Sequence, residues 1–179
     1  PYMSRDLKKK TGEIDPRKQM KNADYAELSR QADDYGIFRF VITGGEAVLD
    51  KNLGELIEAL DPLKHLIILD TNGWFFDEEK AKWFAGLGGY KAQISLDSFV
   101  AEEHDAFRNK PGSYKRVLRA IKASKEAGLE LLLSTCLVKD RVFSQEFEDF
   151  LEYCGAEDVP LYVTLAKPVG SARGHDEWV

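Results

Sequence analysis

The sequence predicts an α/β fold in which parallel strands alternate with helices. Short apolar runs rich in β-branched and aromatic residues recur along the 179 residues. Between them lie longer stretches with apolar residues at helical spacing, separated from the strands by glycine or by residues that cap helices. A strand–helix–strand order makes neighbouring strands parallel, with right-handed crossovers. Two architectures meet this description: an open doubly wound sheet, or part of a βα barrel.

The predicted strands are short and apolar, as expected for strands covered on their faces. The first reads Ile-Phe-Arg-Phe-Val-Ile and is ended by Gly44 and Gly45. The last reads Leu-Tyr-Val-Thr-Leu. The five predicted strands are residues 37–42, 65–69, 90–96, 129–138 and 161–165.

Capping residues and glycines mark the predicted helices. Asn52, followed three residues later by Glu55, resembles a capping box. Gly36, Gly128 and Gly155 are placed to end three helices. We predict helices that begin at Asn22, Asn52, Asp77, Ser113 and Ser144, and a loop or short helix from Asp97 to Pro111; residues 1–22 are polar and basic and are interpreted as a surface loop.

Composition excludes several classes of protein. With 25 Lys and Arg against 31 Asp and Glu, the net charge is -6, which argues against a nucleic-acid binder. No apolar run approaches the ~18 residues of a membrane span, and no signal segment opens the chain. The two cysteines, Cys136 and Cys154, suit a reducing cytoplasm and exclude a disulfide scaffold. They also cannot by themselves form a four-thiolate metal site, and we expect both to be packing residues.

Polar residues gather where the predicted strands end, which is the edge at which such folds bind ligands. No dinucleotide-binding or P-loop glycine motif is present, so a nucleotide held by either device is not expected. His104 is expected to pack or cap locally, because no nucleophile with a matching partner accompanies it. The strand ends carry Thr43 to Ala47, Asp70 to Gly73, Ser95 with Asp97 and Ser98, Ser134 to Cys136 with Lys139 and Asp140, and Lys167 to Gly170.

Three of these groups suggest ligand chemistry, each with a plain alternative. Gly44-Gly45-Glu46 lets a ligand approach the backbone beside a carboxylate that suits an ammonium, or it is a tight turn with a solvated Glu46. Ser95 and Asp97 suit a ribose or another polyol, or they form a capped strand end. Arg108 suits a ligand carboxylate, or it forms a surface ion pair with neighbouring acidic residues.

The order of these motifs along the chain closely resembles the radical S-adenosylmethionine (SAM) enzymes. The best match is to the branch whose members often carry C-terminal SPASM-type auxiliary cluster domains. The resemblance covers nearly the whole chain. The matching motifs are Thr43-Gly44-Gly45-Glu46, Thr71-Asn72-Gly73, Ser95-Leu96-Asp97-Ser98, His104-Asp105-Ala106-Phe107-Arg108, Pro111-Gly112-Ser113 and Pro168-Val169-Gly170.

The resemblance implies a SAM site made of nine residues. Glu46, with Gly44 and Gly45, matches the loop that holds the amino group of the methionine moiety. Ser95, with Asp97 beside it, matches the serine that contacts the ribose or methionine portion, and Arg108 matches a residue that meets the methionine carboxylate. The remaining matches are Asn72 in the same pocket, and Thr135 and Leu165 in the adenine lining.

Two departures from the family pattern accompany the match. Ala47 stands where the family usually has proline. The C-x-x-x-C-x-x-C motif, whose thiolates hold a 4Fe-4S cluster, is absent from the 179 residues. In the family this motif follows the first barrel strand, which places it upstream of Pro1. We therefore expect a partial (βα)6 TIM-like barrel with five visible βα units and the first strand missing.

On this interpretation residues 1–179 are a radical SAM core truncated at both ends. The start at Pro1, and a polar end at His175 to Trp178 that resembles a continuing segment, favour this interpretation. An upstream C-x-x-x-C-x-x-C in the parent coding sequence would support it.

The resemblance implies reductive cleavage of SAM to a 5′-deoxyadenosyl radical, which abstracts hydrogen from a peptide or small-molecule substrate. An electron donor such as flavodoxin or ferredoxin is implied as a partner. The 179 residues alone are expected to be inactive. Two alternatives are a cluster-less barrel that acts as a binding or scaffolding partner, and an unrelated βα enzyme, although no acid–base pair for the latter stands out.

Overall fold

The computed structural model describes residues 20–167, which form one parallel sheet with helices between its strands. The interpretations of residues 1–19, of Pro168-Val169-Gly170 and of His175 to Trp178 fall outside the described residues. The strands are β1 (Arg39–Ile42), β2 (Leu66–Thr71), β3 (Gly89–Ser95), β4 (Glu130–Leu137) and β5 (Leu161–Leu165). The helices are α1 (Asn22–Asp34), α2 (Leu53–Ala59), α3 (Glu78–Gly86), α4 (Ala101–Phe107), α5 (Ser113–Glu126) and α6 (Gln145–Ala156), with 3₁₀ turns at Ala47–Leu49 and Lys139–Arg141.

Strand order decides between the two predicted architectures. The five strands lie in the order β1-β2-β3-β4-β5, and every neighbouring pair is parallel. A doubly wound sheet reverses its order at a switch point, whereas right-handed crossovers in one unbroken order place all the helices on one face. The sheet is therefore a curled half-barrel, and the predicted partial barrel is confirmed.

The hydrophobic core lies between the convex face of the sheet and the helices. Ile67, Leu69, Ile94 and Leu133 alternate along their strands and are at most 1 % exposed. Phe84 of α3, Val117 of α5 and Phe150 of α6, each 0 % exposed, pack in the same core cluster. The opposite, concave face is only half-buried and carries polar side chains at the alternate positions Asp70, Gln93, Ser95 and Ser134.

Helix starts show where local sequence patterns succeed and where they fail. Asp77 and Ser144 cap as predicted, accepting hydrogen bonds from Lys80 N (3.1 Å) and Phe147 N (3.3 Å) respectively. The predicted capping box at Asn52 and Glu55 is wrong. The Glu55 carboxylate instead accepts a 2.6 Å hydrogen bond from Asn22 Nδ2 of α1, and the Asn52 side chain caps nothing.

Ser113 and Gly155 are also corrected. The N-cap of α5 is Gly112, in a left-handed conformation, while Ser113 is the first helical residue and turns its hydroxyl to His104. Gly155 lies inside the last turn of α6 rather than after it. Each helix boundary thus differs by one residue from its predicted position. Sequence patterns do not resolve helix ends to a single residue.

Candidate functional site

A cavity of about 250 Å³ opens at the carboxyl ends of the strands, where the sequence places its polar motifs. The loops after β1 and β2, the ends of β3 and β4, and the residue after α4 form its walls. It is lined by Thr43, Gly44, Gly45, Asp70, Thr71, Asn72, Ser95, Arg108 and Ser134.

Five of the nine predicted site residues line this cavity, although they are separated by up to sixty-four positions in the sequence: Gly44, Gly45, Asn72, Ser95 and Arg108. Gly44 and Gly45 have φ angles of 113° and 52°, and a β-carbon at either position would meet no atom within 4 Å. Backbone conformation, rather than crowding, therefore favours glycine in this loop. The same open space leaves the loop backbone accessible to a ligand.

Glu46 stands beside the cavity and connects two loops. Its Oε1 accepts a 2.7 Å hydrogen bond from Thr71 Oγ1, and its Oε2 accepts a 2.9 Å bond from the Asn72 backbone N–H. Thr71 Oγ1 in turn accepts a bond from Gly73 N, and Asn72 Oδ1 accepts one from Trp74 N. The Glu46 carboxylate therefore fixes the turn after β2 to the glycine loop after β1, and it is not among the residues that line the cavity.

Asp97 lies behind Arg108 rather than in the cavity wall. Its side chain is 0 % exposed, and its Oδ2 accepts a hydrogen bond from Arg108 Nε. Oδ1 is 3.3 Å from the Thr135 hydroxyl, which donates to it. Arg108, by contrast, is 25 % exposed and reaches the cavity. This pair replaces the surface ion pair that was the alternative interpretation of Arg108.

The hydrogen bond from Arg108 Nε to Asp97 decides which edge of the Arg108 guanidinium faces the cavity. Within residues 20–167, the structure gives Arg108 no side-chain hydrogen bond other than the one from Nε to Asp97. The two terminal nitrogens are the pair of donors that a carboxylate can accept from bidentately. A buried anion thus orients a cation toward the cavity.

His104 supports Asp97 from the helix side and is not a catalytic base. Its ring is 0 % exposed; Nδ1 accepts a 3.2 Å hydrogen bond from the Asp97 backbone N–H, and Nε2 lies 3.2 Å from Ser113 Oγ. Burial lowers the pKa of His104, opposed by the Asp97 carboxylate. An Nδ1 that accepts a hydrogen bond belongs to a neutral ring, so the 3.8 Å approach of Nδ1 to Asp97 Oδ2 is not an ion pair.

Thr135 and Leu165 are not brought to the cavity wall. Thr135 is 2 % exposed and points to the helix side of β4, because strand residues alternate and its neighbour Ser134 takes the cavity side. Leu165 pairs with Leu137 at the edge of the sheet and is 63 % exposed. Their backbone contact with adenine, which the family resemblance implies, stays a prediction.

Asp70 and Ser134 line the cavity, although the sequence places them only among the polar residues at the strand ends and not among the nine predicted site residues. Ser134 is paired with Ser95 in the register of β3 and β4, so the two hydroxyls share one wall. Both residues stand at strand ends, and alternation along each strand was the signal that could have selected them. Asp70 also has the only buried carboxylate oxygen without a hydrogen-bond partner in residues 20–167, Oδ1.

The described residues offer no site for an iron–sulfur cluster. A 4Fe-4S cluster is held by cysteine thiolates. Cys154 is buried, and burial raises the pKa of its thiol to about 11, so it stays a protonated packing residue as predicted. Cys136 is half-buried on β4. Between residues 20 and 167, no group of three or more His, Cys, Asp or Glu side chains could hold a metal ion.

Comparison with known proteins gives one family. The model of the Radical SAM superfamily matches residues 6–154. AdoMet-dependent heme synthase of Nitratidesulfovibrio vulgaris is 30 % identical over 149 residues, which are 82 % of this chain and 40 % of that protein. The chain therefore spans about two fifths of that curated relative.

Solved structures agree with the family model on the fold. SuiB of Streptococcus suis bound to S-adenosylmethionine matches with a TM-score of 0.69 at 18 % identity, covering 89 % of this chain and 37 % of SuiB. The methyltransferase TsrM of Kitasatospora setae, with cobalamin and a [4Fe-4S] cluster bound, matches with a TM-score of 0.57 at 15 % identity, over 82 % of this chain and 31 % of TsrM. No helix within residues 20–167 is long and apolar enough to span a membrane.

Proposed function

Because the chain belongs to the radical SAM superfamily, we propose that residues 20–167 form the SAM-binding part of a radical SAM enzyme core. One observation carries the proposal. Five residues that the motif order predicted separately meet in one cavity at the carboxyl edge of the sheet, as ligand-binding residues in parallel βα folds do.

The chemistry of the cavity fits SAM. Ser95 and Ser134 offer paired hydroxyls for a ribose, and Arg108 offers two terminal nitrogens for the methionine carboxylate. The open backbone at Gly44 and Gly45 allows close approach of the ligand. When bound, SAM supplies the radical chemistry of the family, while this chain's residues bind it, orient it and exclude water.

A 4Fe-4S cluster does not fit the residues of this sequence. The two cysteines provide fewer thiolates than the three of the family motif, so a cluster would need ligands from outside these 179 residues. No step of the reaction is assigned to the cluster here. We propose an electron donor such as flavodoxin or ferredoxin for the whole enzyme, and a substrate that is a peptide or a small molecule.

The test is a calorimetric titration of SAM into the 179-residue chain and into Arg108→Gln. We expect the wild type to bind and Arg108→Gln to bind about ten- to a hundredfold more weakly, since a charge-assisted hydrogen bond contributes ~1.5–3 kcal/mol. Arg108→Lys, which keeps the charge but not the paired donors, should fall between them.

Arg30→Gln is the matched control. Arg30 lies on α1, where it pairs with Glu27 and Asp34 on the surface. Its loss should leave SAM affinity unchanged. A folded wild-type chain that binds no SAM would overturn the proposed function.

A further inference from the structure

A basic stretch that includes most of α5 stands out in an acidic chain. Residues 106–125 contain seven of the 25 Lys and Arg and no Asp or Glu, although the net charge of the chain is -6. Three of the seven form salt bridges, which are Arg108 with Asp97, Lys122 with Glu126 and Lys125 with Glu157. Arg116, which is exposed, and Arg119, which is half-buried, form no salt bridge within residues 20–167.

Trp74, in the segment between β2 and α3, brings basic side chains together. Lys110 Nζ lies 4.6 Å and Arg116 Cζ 5.4 Å from the centroid of the Trp74 ring. Arg119 Nη2 donates a 3.4 Å hydrogen bond to the Trp74 carbonyl oxygen. An aromatic ring and a carbonyl group attract a cation but carry no net charge, so these contacts hold Arg116 and Arg119 without neutralising them. We call Trp74, Lys110, Arg116 and Arg119 the basic patch.

The stability of α5 does not account for these charges. Cations are unfavourable near a helix N-terminus, where the helix dipole is positive, and the first turn of α5 contains Lys115 and Arg116 but no acidic residue. The other five described helices each have at least one acidic residue in the first turn. Asp105 of α4 lies at the start of α5, but its carboxylate accepts hydrogen bonds from the backbone N–H groups of Gly112 and Tyr114.

The composition of the patch favours a protein partner with acidic side chains. Trp and Arg are enriched at the centres of protein interfaces, and Phe75, next to Trp74, is 42 % exposed. A guanidinium matches a carboxylate with paired donors. Single-stranded nucleic acid stacks its bases on free aromatic rings, whereas Trp74 is half-buried and has two cations over its ring.

We propose that the basic patch docks an acidic segment of a protein partner, whose Asp and Glu side chains pair with Arg116 and Arg119. Trp74 is a positioning residue for these cations. Its backbone N–H donates a 2.9 Å hydrogen bond to Asn72 Oδ1, and Asn72 lines the cavity. The four patch residues themselves do not line it, so the docked segment lies beside the cavity without filling it. This inference goes beyond the proposed function and does not depend on SAM binding.

The experiment measures binding of fluorescein-labelled octaglutamate to the 179-residue chain by fluorescence anisotropy at low ionic strength. We expect the wild type to bind, and Arg116→Glu to bind about fivefold or more weakly, because the change removes one attraction and adds one repulsion. Arg119→Gln should weaken binding about two- to fivefold. Raising the salt concentration from about 20 to about 150 mM should weaken wild-type binding, because salt screens exposed charges.

Arg39→Glu is the matched control. Arg39 is exposed on β1, at the edge of the sheet, and the substitution changes the net charge by the same amount as Arg116→Glu does. Its affinity for octaglutamate should change less than twofold. An acidic residue in the first turn suits a helix, so Arg116→Glu is expected to fold. If it does not, Arg116→Gln replaces it and is required to show a loss of about two- to fivefold.

Two further titrations separate this inference from other readings. Fluorescein-labelled octathymidylate should bind the wild type more weakly than octaglutamate does. Binding that is equal or tighter, with the same losses in the variants, identifies a nucleic-acid surface and overturns the inference. Arg116→Glu should bind SAM as the wild type does, and a parallel loss of SAM affinity would assign its effect to the fold and overturn the inference.

The remaining outcomes also decide. A wild type that does not bind octaglutamate, an Arg116→Glu that binds it as the wild type does, or an equal loss in Arg39→Glu overturns the inference. Wild-type binding that is insensitive to salt does so too. A chain that binds octaglutamate with the expected losses but binds no SAM refutes the proposed function alone.

Discussion

At the scale of single residues, the cavity depends on a buried carboxylate, that of Asp97, which does not itself line the cavity. Asp97 is held by the His104 ring through its backbone N–H and by Thr135 through its Oδ1, and it holds Arg108 by Nε. Arg141 adds a 2.6 Å hydrogen bond to the Asp97 carbonyl oxygen. Because Asp97 is fully buried and held by these partners, it restricts the rotamers of the Arg108 side chain in the ligand-free protein. Less side-chain entropy is then lost when Arg108 binds a ligand.

His104 should make the stability of the chain fall as the pH drops below about 6.5, the ordinary pKa of histidine in an unfolded chain. Burial lowers the pKa of His104 in the folded state, so the unfolded chain binds the proton more tightly. The stability that the neutral His104 ring contributes is therefore fully present above the pKa of His104 in the unfolded chain. It is lost progressively as the pH falls below that value.

The measurement is the urea midpoint of wild type and His104→Asn at about pH 7.5 and pH 5.5. Asparagine keeps an acceptor for the Asp97 N–H and does not titrate. We expect the wild type to lose more stability between the two pH values than His104→Asn. Equal losses would show that the pKa of His104 is the same in the folded and the unfolded chain, and would contradict this prediction.

At the scale of elements, the turn after β2 is pressed against α5. Gly73 has a φ of 74°, and a β-carbon there would lie 3.2 Å from the Val117 backbone and side chain and 3.3 Å from Ala120 Cβ. A helix backbone cannot give way as a flexible side chain can. This close contact between Gly73 and α5 fixes the position of the turn that carries Asn72. Because Asn72 lines the cavity, the contact also fixes one of its walls.

Gly73→Ala should therefore destabilise the chain by about 2–4 kcal/mol, combining the left-handed conformation with the crowding against α5. Gly112→Ala is the matched control, since Gly112 has a similar φ of 81° but open space around its β-carbon position. It should cost only about 1 kcal/mol. Urea denaturation of both variants checks the difference, and equal losses would exclude the contact with α5 as its source.

At the scale of the whole molecule, the sequence contains the cavity that we propose for SAM but lacks the thiolates that a 4Fe-4S cluster requires. The cavity gathers its groups from four strand ends, whereas the chain has two cysteines, of which Cys154 is buried with a pKa of about 11. SAM binding and radical formation can therefore be separated by experiment on these 179 residues.

Anaerobic reconstitution of the 179-residue chain with iron and sulfide should yield little bound iron, because a 4Fe-4S cluster requires more thiolates than the chain provides. With SAM and a chemical reductant, no 5′-deoxyadenosine should form. SAM titration of the same sample verifies that the site is folded. One cluster per chain, or appreciable 5′-deoxyadenosine, would contradict this prediction.

The sequence by itself determined the element types, their order and the strand ends at which the site forms. Apolar runs and helical spacing depend on local residues, and all five strands are found within two residues of their predicted positions at both ends. The motif order was also sufficient to identify the family, because it is a property of the linear sequence.

Only the tertiary structure decided which side chains face the cavity. Unbroken strand order selected a half-barrel, and alternation along β4 placed Ser134 rather than Thr135 in the wall. The Glu46 carboxylate accepts hydrogen bonds from Thr71 and Asn72, which are about twenty-five positions away in sequence, whereas Asp70 Oδ1 has no partner within residues 20–167. The carboxylates near the strand ends can be read from the sequence, but their burial and their hydrogen-bond partners exist only after folding, because they depend on residues that the chain brings together from distant positions.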